Sequence, residues 1–545
     1  MNELENILGI QFPKRVKISH ATNNSKKVKK NSIFFGLQGA KDHGSKYIKE
    51  ALYNGASIVV HDDKAYKSDL ENIFYIDDLE EIDFYKFLNC LYYPNYMHPE
   101  VLLEEDSIYF FGITGTNGKT TTSLFCQQIF ENHKDNNCSG ETLYIGTMGV
   151  KHNTKEINLD FSNNTTPDIF TIFEILKHYR FFTKSMQHVS KFIYLEVSSH
   201  ALEQNRLKNL PFERSAILNI GNDHLDYHKN NKAYRKAKFK IINNTPIIRR
   251  NSNYLFNRSS FTLLNIDCSA ILKEYKKILL AETLLDVKHT FYTISKKNSN
   301  ADFFYEILEP NISKTTFKLH SKHNILDFTC QSYIDDPKKP FPSPYFKKST
   351  IYKYTVPLFP EFNVLNFIFA RILTGFIANQ EIKDDGAPIK PIQLPSGRFE
   401  VLKNIPSNII IDYAHSPDSF QEFLPSLQGY FNKVIVIFGC GGDRDKNKRS
   451  KMLKIAIENS SQVIFTSDNN RSESFKSIYS DASKGNNIES VIDIEDRQKA
   501  IIYGSKLISH NDCLVILGKG HEKTQELNGK FIKFSDHEVV NEIYK

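Results

Sequence analysis

The sequence has no tryptophan, few methionines and no regular cysteine pattern. Its seven cysteines are odd in number and form no C-x-x-C pair, which argues against a disulfide framework and against a structural zinc site. No apolar run approaches the ~18 residues of a membrane span. The first residues are acidic where a signal peptide would be basic. These absences predict a cytoplasmic protein with reduced thiols and without a membrane segment.

The composition is that of a folded protein with several domains. The chain has 545 residues, of which 40% are apolar and 24% charged, and single hydrophobic cores stop growing well below that length. An excess of 70 Lys and Arg over 63 Asp and Glu gives a formal charge of +7. Most excesses of this size are solvated faces, and some serve anionic ligands. No zinc-finger, recognition-helix or aromatic-basic RNA motif accompanies the charge, so we do not expect nucleic acid as a partner.

Alternating strand-like and helix-like segments predict an α/β fold in three domains. We place a small N-terminal α/β domain at 1–104, a central domain with a mostly parallel sheet at 105–396, and a C-terminal Rossmann-like α/β domain at 397–545. In the last domain, apolar runs such as 434–438 are typical of buried parallel strands. Residues 243–350, rich in Asn, Ser, Lys and aromatics, predict irregular insertions with some antiparallel strands.

The strongest chemical signal is a Gly- and Thr-rich loop at 112–122, between an apolar strand and a helix-compatible run. A phosphate-binding loop needs glycines so that backbone N–H groups can surround oxygens, a Lys for the β- and γ-phosphates, and a hydroxyl for Mg²⁺. Lys119 and Thr120 supply the last two. The strict pattern has a glycine where Ile113 stands, so the loop is a variant of it, and a chance glycine-rich turn is the alternative.

This loop opens an ordered set of motifs. They lie, in chain order, at 114–120, 164–168, 196–202, 222–228, 397–400, 412–417, 439–445 and 518–522. Together they resemble the Mur ligase family, and within it the MurE type, the UDP-N-acetylmuramoyl-tripeptide synthetases. The matching positions extend over all three domains, from Ser25 to Glu522. One such motif is a weak signal, whereas the ordered set is specific.

The resemblance implies a central domain of the P-loop ATPase type and an ATP-dependent amide ligase of peptidoglycan synthesis. The N-terminal domain is then expected to bind the UDP end of one substrate, the central domain ATP and Mg²⁺, and the C-terminal domain the acceptor amino acid. The implied partners are three small molecules: UDP-MurNAc-L-Ala-D-Glu, ATP and a diamino acid. The protein is expected to act as a monomer.

Two candidate metal ligands are ambiguous when the residues are taken alone. Glu196 follows a strand, at the carboxyl end where open α/β sheets bind ligands, so it is a candidate Mg²⁺ ligand or an ordinary surface glutamate. His224 lies in an Asn-Asp-His loop, where one histidine is more typical of a turn or cap than of a metal site. The resemblance implies that both residues bind Mg²⁺.

A third candidate, Lys238, lies in a basic helix face beside Lys236 and Lys240, and the residues alone do not choose among the three. The resemblance implies that the lysine at 238 is carbamylated, which would make it an oxygen ligand for Mg²⁺. With Thr120, the implied metal ligands are therefore Thr120, Glu196, His224 and Lys238 as its carbamate. Lys119 is expected to act on the phosphate that is transferred.

The resemblance also implies two sets of binding residues. Those for ATP are Gly115, Thr116, Asn117, Gly118, Lys119, Thr120, Thr121, Asn363, Arg398, Asp412, Tyr413 and His415. Those for the UDP-sugar-peptide are Ser25, Asn164, Thr165, Thr166, Ser198, Gln204 and Arg206. Helix capping by Thr165 or Thr166 is a competing or additional role for those two side chains.

The expected acceptor site consists of Arg444, Asn469, Arg471, Gly518 and Glu522. The distal end of meso-diaminopimelate carries a carboxylate and an ammonium, and an Arg and a Glu suit those two charges. The family motif for this acceptor reads Asp-Asn-Pro-Arg, whereas this chain has Asn470 in place of the proline. A looser loop would shift Arg471, so L-lysine is the alternative acceptor.

Three other functions compete with this assignment. A folylpolyglutamate synthetase is a related ligase, but the motifs at 412–417 and 518–522 fit the MurE type better. A P-loop NTPase of a different class would turn over ATP without a UDP-sugar substrate. A nucleic-acid-binding protein is suggested by the charge alone.

Overall fold

The structure is a computed structural model. It describes residues 2–39, 42–92, 108–133, 140–157, 164–179, 190–245, 260–285, 289–322, 350–375, 391–403 and 405–545. Within these ranges the chain forms three sheets with helices packed on them and one separate hairpin. The α/β fold predicted from the sequence is confirmed. Among the helices that the structure describes, none combines the length and the apolar character that a membrane crossing requires.

The N-terminal sheet has four parallel strands in the order β1-β2-β3-β4. Its elements are α1 (Asn2–Leu8), β1 (His20–Thr22), β2 (Ser32–Gly36), α2 (Ile48–Tyr53), β3 (Ala56–His61), β4 (Ile73–Tyr75) and α3 (Phe84–Tyr92). Strand β2 reads Ser-Ile-Phe-Phe-Gly and is buried along its whole length, as expected for a parallel strand covered on both faces.

The central sheet is the largest. Its strands are β5 (Ile108–Thr114), β6 (Gly140–Gly146), β7 (Gly149–His152), β8 (Lys155–Ile157), β9 (Ser190–Glu196), β10 (Arg214–Ile217), β11 (Phe261–Asn265), β12 (Phe291–Ser295), β13 (Phe303–Pro310), β14 (Thr315–Ser321) and β15 (Thr350–Val356). The helices of this part are α4 (Lys119–His133), α5 (Ile169–His178), α6 (Ser199–Glu203), α7 (Leu225–His228), α8 (Asn231–Phe239), α9 (Ser269–Leu285) and α10 (Glu361–Thr374).

The strand order of this sheet is β15-β14-β13-β12-β11-β10-β5-β9-β6-β7-β8. Strands from β13 to β6 are parallel to one another, and an antiparallel pair extends the sheet at each end. Since β5 and β9 are neighbours, the loop after β5 and the residue that ends β9 lie at the same edge of the sheet.

The stretch at 243–350 is more regular than the sequence predicts. Its described residues include α9 and β11 to β14, and β11 and β12 continue the parallel sheet. The expected antiparallel strands are present as β14 and β15. The parts at 246–259, 286–288 and 323–349 lie outside the described residues, as does the predicted domain limit at 104. The two predicted domain boundaries stay predictions.

The C-terminal sheet has the order β16-β17-β21-β18-β19-β20, with only β16 antiparallel to its neighbour. Its strands, together with the hairpin, are β16 (Glu400–Val401), β17 (Asn408–Asp412), β18 (Val434–Phe438), β19 (Gln462–Phe465), β20 (Val491–Asp493), β21 (Cys513–Leu517), β22 (Thr524–Leu527) and β23 (Lys530–Lys533). The helices are α11 (Pro417–Phe423), α12 (Asn447–Glu458), α13 (Phe475–Ser483), α14 (Arg497–Leu507) and α15 (Asp536–Ile543).

Both faces of the C-terminal sheet are covered by apolar clusters. Along β17, Ile410 packs in one cluster and its neighbours Ile409 and Ile411 pack in the other, because successive side chains of a strand point to opposite faces.

A separate cluster joins the N-terminal and central domains, where Phe35 of β2 stacks on Phe170 of α5 with ring centroids 5.3 Å apart. Apolar packing therefore fixes the first two domains against each other.

Candidate active site

The loop after β5 turns sharply into α4, and its last glycine is required by its surroundings. Gly118 has a φ of +85°, and a Cβ there would collide with Oδ1 of Asn366 on α10. A glycine relieves both constraints, since it tolerates positive φ and has no side chain. Asn366 also accepts a hydrogen bond from the Thr122 hydroxyl (3.3 Å), so α10 holds the start of α4 in place.

Lys119 folds back over this loop. Its Nζ donates to the carbonyl oxygens of Gly115 (2.8 Å) and Thr116 (2.9 Å). Loss of solvation lowers the pKa of Lys119, while the charges of Glu196 and Asp223 raise it in part. The ammonium is therefore held at the loop mouth by dipoles, without a salt bridge to any described carboxylate.

Lys238 reaches the same loop from α8. That helix starts after Asn230, whose side chain accepts from the backbone N–H of Ala233 (2.9 Å). Lys238 is 1% exposed, donates to the carbonyl of Gly115 (2.8 Å), and lies 4.7 Å from the ring of Tyr234 one turn earlier. Burial, together with the charge of Lys119, lowers the pKa of Lys238 well below its ordinary value. These conditions favour a neutral amine at this position.

Glu196 ends β9 and is fully buried. Its Oε1 accepts from the Tyr144 hydroxyl and from the backbone N–H of Thr147 (3.0 Å), and its Oε2 accepts from the Thr147 hydroxyl (3.0 Å). A carboxylate has about four lone-pair positions, so one at Oε2 stays available. A Cβ on Gly146 would collide with this carboxylate.

Tyr144 and Thr147 were not identified from the sequence. The Gly-Thr-Met-Gly turn after β6 was the only signal for them. Because β6 lies beside β9 in the sheet, the end of β6 reaches the carboxylate that ends β9.

His224 lies across the cleft with a φ of 53° and a partly exposed ring. Its ring centroid is 4.8 Å from that of His200. Desolvation lowers the pKa of His224 to about 4, with Asp223 opposing the shift and His200 adding to it. The imidazole is therefore neutral at pH 7, as a metal ligand must be. Among the described residues, no three His, Cys, Asp or Glu side chains form a ready-made metal site.

The C-terminal domain closes this cleft from above. Arg398 lies near the start of that domain, and its Nη2 donates to the Thr120 hydroxyl (3.3 Å), while its guanidinium lies 4.3 Å from the ring of Tyr413. Asp412 ends β17 and accepts from the backbone N–H of Phe399 and Ala414 (2.6 Å each). Asp412 therefore fixes the turn that presents Arg398 and Tyr413.

The remaining predicted nucleotide residues also lie at this cleft. Burial raises the pKa of Asp412, raises the pKa of Tyr413 to about 12, and lowers the pKa of His415. Asn363 donates to the carbonyl of Phe359 (3.0 Å) and lines the cleft with Asn366. The cleft holds a cavity of about 250 Å³. All twelve residues predicted for ATP, except Gly115, line it, and the carbonyl of Gly115 binds both lysines.

One contact across the cleft depends on a glycine. Asp418, in the first turn of α11, accepts from the backbone N–H of Asn222 in the central domain and, at 3.5 Å, from its side-chain amide. A Cβ on Gly221 would collide with the Asp418 carboxylate. This contact lies two residues from His224, so it joins the C-terminal domain to that side of the cleft.

Most of the residues predicted for the UDP-sugar-peptide lie in the central domain, close to the end of β9. Thr166 donates to the carbonyl of Glu196 (2.8 Å) and accepts from the backbone N–H of Ser198 (2.9 Å). Arg206 donates to the carbonyl of Thr166 (3.1 Å) and, through Nε, to Gln204 (2.9 Å). Four of the seven therefore form one connected group beside Glu196.

The other three surround that group less closely. Thr165 receives a hydrogen bond from the Thr147 hydroxyl (3.4 Å), and Asn164 is exposed. Ser25 lies in the N-terminal domain and donates to Glu50 (2.6 Å). Its turn reaches α5 through Lys27, whose Nζ lies 3.4 Å from the Thr171 hydroxyl. The turn that holds Ser25 thus contacts α5, which begins three residues after Thr166.

The predicted acceptor residues meet at the carboxyl edge of the C-terminal sheet. Asn469 donates to Glu522 (3.0 Å), and buried Lys519 donates to both Glu522 (2.8 Å) and Asn469 (3.2 Å). Gly518 has a φ of +110°, and a Cβ there would approach Asp468. Lys519 lies within the motif at 518–522, but the sequence alone indicates no role for it.

The two arginines of this group lie beside Gly441. A Cβ on Gly441 would lie 3.0 Å from Nη1 of Arg471 and 3.6 Å from Cγ of Arg444. Asn470, which replaces the family proline, is buried and donates to the Ser467 hydroxyl (3.1 Å), while its carbonyl accepts from Glu473 (3.0 Å). The loop is therefore anchored without the proline.

The fold and the site define a phosphate-loop α/β protein. Its strand runs into a glycine loop, its next helix begins at the loop lysine, and a Rossmann-like domain lies over both. Comparison with known proteins is more specific. Family profiles described as "Mur ligase family, catalytic domain", "Mur ligase middle domain" and "Mur ligase, glutamate ligase domain" match residues 17–81, 113–374 and 397–520.

Two curated relatives are named UDP-N-acetylmuramoyl-L-alanyl-D-glutamate–2,6-diaminopimelate ligase. The one from Wigglesworthia glossinidia brevipalpis is 31% identical over 97% of this chain and 95% of its own length. The one from Rickettsia typhi is 30% identical over 97% and 94%. A solved structure of a ligase with the same name has a TM-score of 0.59 at 25% identity, covering 99% of this chain and 98% of that one. The chain belongs to the Mur ligase family, as its motifs predicted.

Proposed function

We propose that this chain is an ATP-dependent ligase that joins meso-diaminopimelate to UDP-MurNAc-L-Ala-D-Glu. The name of the relatives at about 30% identity supports this acceptor and this substrate. The observation that carries the proposal is the cleft itself, which Lys119, Lys238 and Arg398 line together with the buried carboxylate Glu196. Such a cleft suits a reaction in which a phosphoryl group passes to a carboxylate.

The first step is phosphoryl transfer. The free carboxylate of the UDP-sugar-peptide attacks the γ-phosphorus of ATP, the bond to the bridging oxygen of ADP breaks, and an acyl phosphate forms. Lys119 and Arg398 approach the loop from opposite domains, so their charges can neutralise the transferred group from two sides. Closure of the C-terminal domain shields the acyl phosphate from water.

The same residues fit Mg²⁺. Glu196 has a lone pair to spare at Oε2, His224 has a neutral ring, and the hydroxyl of Thr120 faces the cleft. Lys238 suits carbamylation, because CO₂ adds to a neutral amine and burial favours that form. When bound, the metal would neutralise phosphate charge. We place these four residues as its ligands.

The second step is amide formation. The amine of the acceptor attacks the acyl carbon, the bond from that carbon to the phosphate oxygen breaks, and inorganic phosphate leaves as the amine loses a proton. Arg471 and Arg444 suit the distal carboxylate of the acceptor, and Glu522 suits its ammonium.

Since ATP is a cytoplasmic substrate, we propose that the enzyme acts in the cytoplasm. We also propose that it acts as a monomer.

One assay tests the proposal. The chain is incubated with ATP, Mg²⁺ and UDP-MurNAc-L-Ala-D-Glu, and phosphate release and product mass are measured with meso-diaminopimelate or L-lysine. We expect release and a new amide with meso-diaminopimelate. Activity with neither amine refutes the proposal, and activity with lysine alone refutes the acceptor. ATP turnover that needs no UDP-sugar-peptide would indicate a P-loop NTPase of another class.

A further inference from the structure

Strand β22 runs beside the acceptor loop at 468–471 and fixes its backbone. The N–H of Arg471 donates to the carbonyl of Glu526 (3.1 Å), and the N–H of Asn528 donates to the carbonyl of Arg471 (2.8 Å). These bonds hold Arg471 at a φ of 52°, a left-handed conformation that is unfavourable for a residue other than glycine. The hairpin therefore determines where the Arg471 side chain begins.

The same strand also holds the guanidinium of Arg471. Its Nε lies 3.3 Å from Oε2 of Glu526, and its Nη1 donates to the carbonyls of Gly442 (2.7 Å) and Asn469 (3.4 Å). Within the described part of the chain, Nη2 has no hydrogen-bond partner. An arginine presents its N–H donors in a rigid planar fork, so fixing Nε and Nη1 aims Nη2 in one direction.

Glu526 also connects the two charged halves of the acceptor site. Its backbone N–H donates to Oδ1 of Asn469 (2.9 Å), whose Nδ2 donates to Glu522 (3.0 Å). Glu526 therefore holds the loop that carries Arg471, the arginine expected to bind a carboxylate. It also holds the amide of Asn469, which orients Glu522, the glutamate expected to bind an ammonium. The side chain of Glu526 pairs with Arg471, so a substitution of Glu526 tests the contribution of this pair.

We propose that Glu526 is a positioning residue that determines acceptor specificity, because its carboxylate aims Nη2 of Arg471 at the distal carboxylate of a diamino acid. This inference rests on the proposed function. An acceptor with that carboxylate completes the hydrogen bonds of Arg471, whereas the side chain of L-lysine ends in an ammonium that Arg471 repels. Glu526 acts through Arg471 and has no direct role in the chemistry.

The test compares Glu526→Ala and Glu526→Gln with the wild type. The steady-state constants are measured for meso-diaminopimelate, for ATP, and for L-lysine as substrate or competing inhibitor. We expect Glu526→Ala to raise the KM for meso-diaminopimelate about tenfold, since one charged hydrogen bond is misdirected. The kcat, the KM for ATP and the constant for L-lysine should stay within about twofold. Glu526→Gln keeps an acceptor oxygen and should restore part of the loss.

The matched control is Glu538→Gln, which removes the same charge from an exposed pair with Lys533 in the same domain and should change no constant. An unchanged or lower KM for meso-diaminopimelate in Glu526→Ala overturns the inference. An equal change for both acceptors also overturns it, because general loosening of the loop would act on both. If the wild type forms no amide with either acceptor, the proposed function fails as well; if the wild type is active, only the role of Glu526 is in question.

Discussion

The phosphate-loop cleft and the acceptor loop hold their cations in different ways. Within the described ranges, no carboxylate lies at ion-pair distance from Lys119 or Arg398, which contact backbone carbonyls, a hydroxyl or an aromatic ring instead. On the acceptor side, Arg471 pairs with Glu526 and Lys519 pairs with Glu522.

This difference matches the charges of the proposed ligands. A polyanion such as ATP supplies the missing negative charge to a cleft of unpaired cations. The distal end of a diamino acid is a zwitterion, so a site that binds it needs both signs and can be nearly neutral before it binds. Because a partly desolvated charge without a counter-charge is unfavourable, we infer that the cleft lowers the stability of the protein, whereas the acceptor side increases it.

The largest expected effect is that of Lys119→Ala. Removing this cation from the loop should lower kcat for ATP-dependent phosphate release about 10³-fold, because the transferred phosphate would lose the ammonium that the loop carbonyls hold at the loop mouth. The melting temperature should stay unchanged or rise, since a desolvated charge is lost. Lys454→Ala, at an exposed lysine of α12, is the control. Activity within tenfold of the wild type would contradict the assignment of the phosphate loop.

Lys238→Ala should have the next largest effect, a fall in kcat of about 10²-fold. A second measurement identifies the modified lysine directly. After equilibration with ¹³C-bicarbonate, the wild type should show one carbamate signal by ¹³C NMR, and Lys238→Ala should lose it. Lys236→Ala and Lys240→Ala are the matched controls and should retain it. A signal that disappears in one of these controls instead would move the carbamate to that lysine.

The sequence predicted the parts of the fold whose pattern is local. The strands β17, β18 and β21 are continuous apolar runs, and the phosphate loop lies between a strand and a helix as expected. Antiparallel strands were expected in this part of the chain, but the position of β14 was not predicted, because its Thr-Thr-Phe-Lys-Leu-His-Ser sequence buries Phe317 and Leu319 among polar residues near the sheet edge. A strand with such mixed composition is hard to distinguish from a loop.

The contacts within the site could not be predicted from spacing. Tyr144 and Glu196 are 52 positions apart, and Asn469 and Glu522 are 53 apart. Each pair meets because neighbouring strands end at the same sheet edge or because the hairpin folds back on a loop. Single residue identities therefore indicated the chemistry, while the partners that orient them required the tertiary structure.

The smallest expected effect on turnover, and a clear one on stability, comes from Glu473→Gln. Glu473 pairs with the buried guanidinium of Arg449 (2.8 and 2.9 Å) and accepts from the N–H of Asp443 (2.7 Å) behind the acceptor loop. The hydrogen bonds from Arg449 lower the pKa of Glu473 to about 2 from 4.5. A carboxyl group whose pKa is lower in the folded than in the unfolded protein stabilises the fold at pH values above its unfolded pKa, here by about 3 kcal/mol at pH 7. This contribution to stability is lost as the pH falls from about 4.5 toward 2.

Denaturant unfolding of the wild type and Glu473→Gln at several pH values measures this contribution. The free energy of unfolding should fall by about 2–3 kcal/mol at pH 7, and the difference should narrow below pH 4.5. The control Glu458→Gln removes an exposed pair with Lys454 from α12 and should cost under about 0.5 kcal/mol. A difference that does not depend on pH would show that Glu473 acts through packing. A stabilised Lys119→Ala beside a destabilised Glu473→Gln would establish the contrast between the cleft and the acceptor side, because loss of charge then has opposite effects on stability in the two regions.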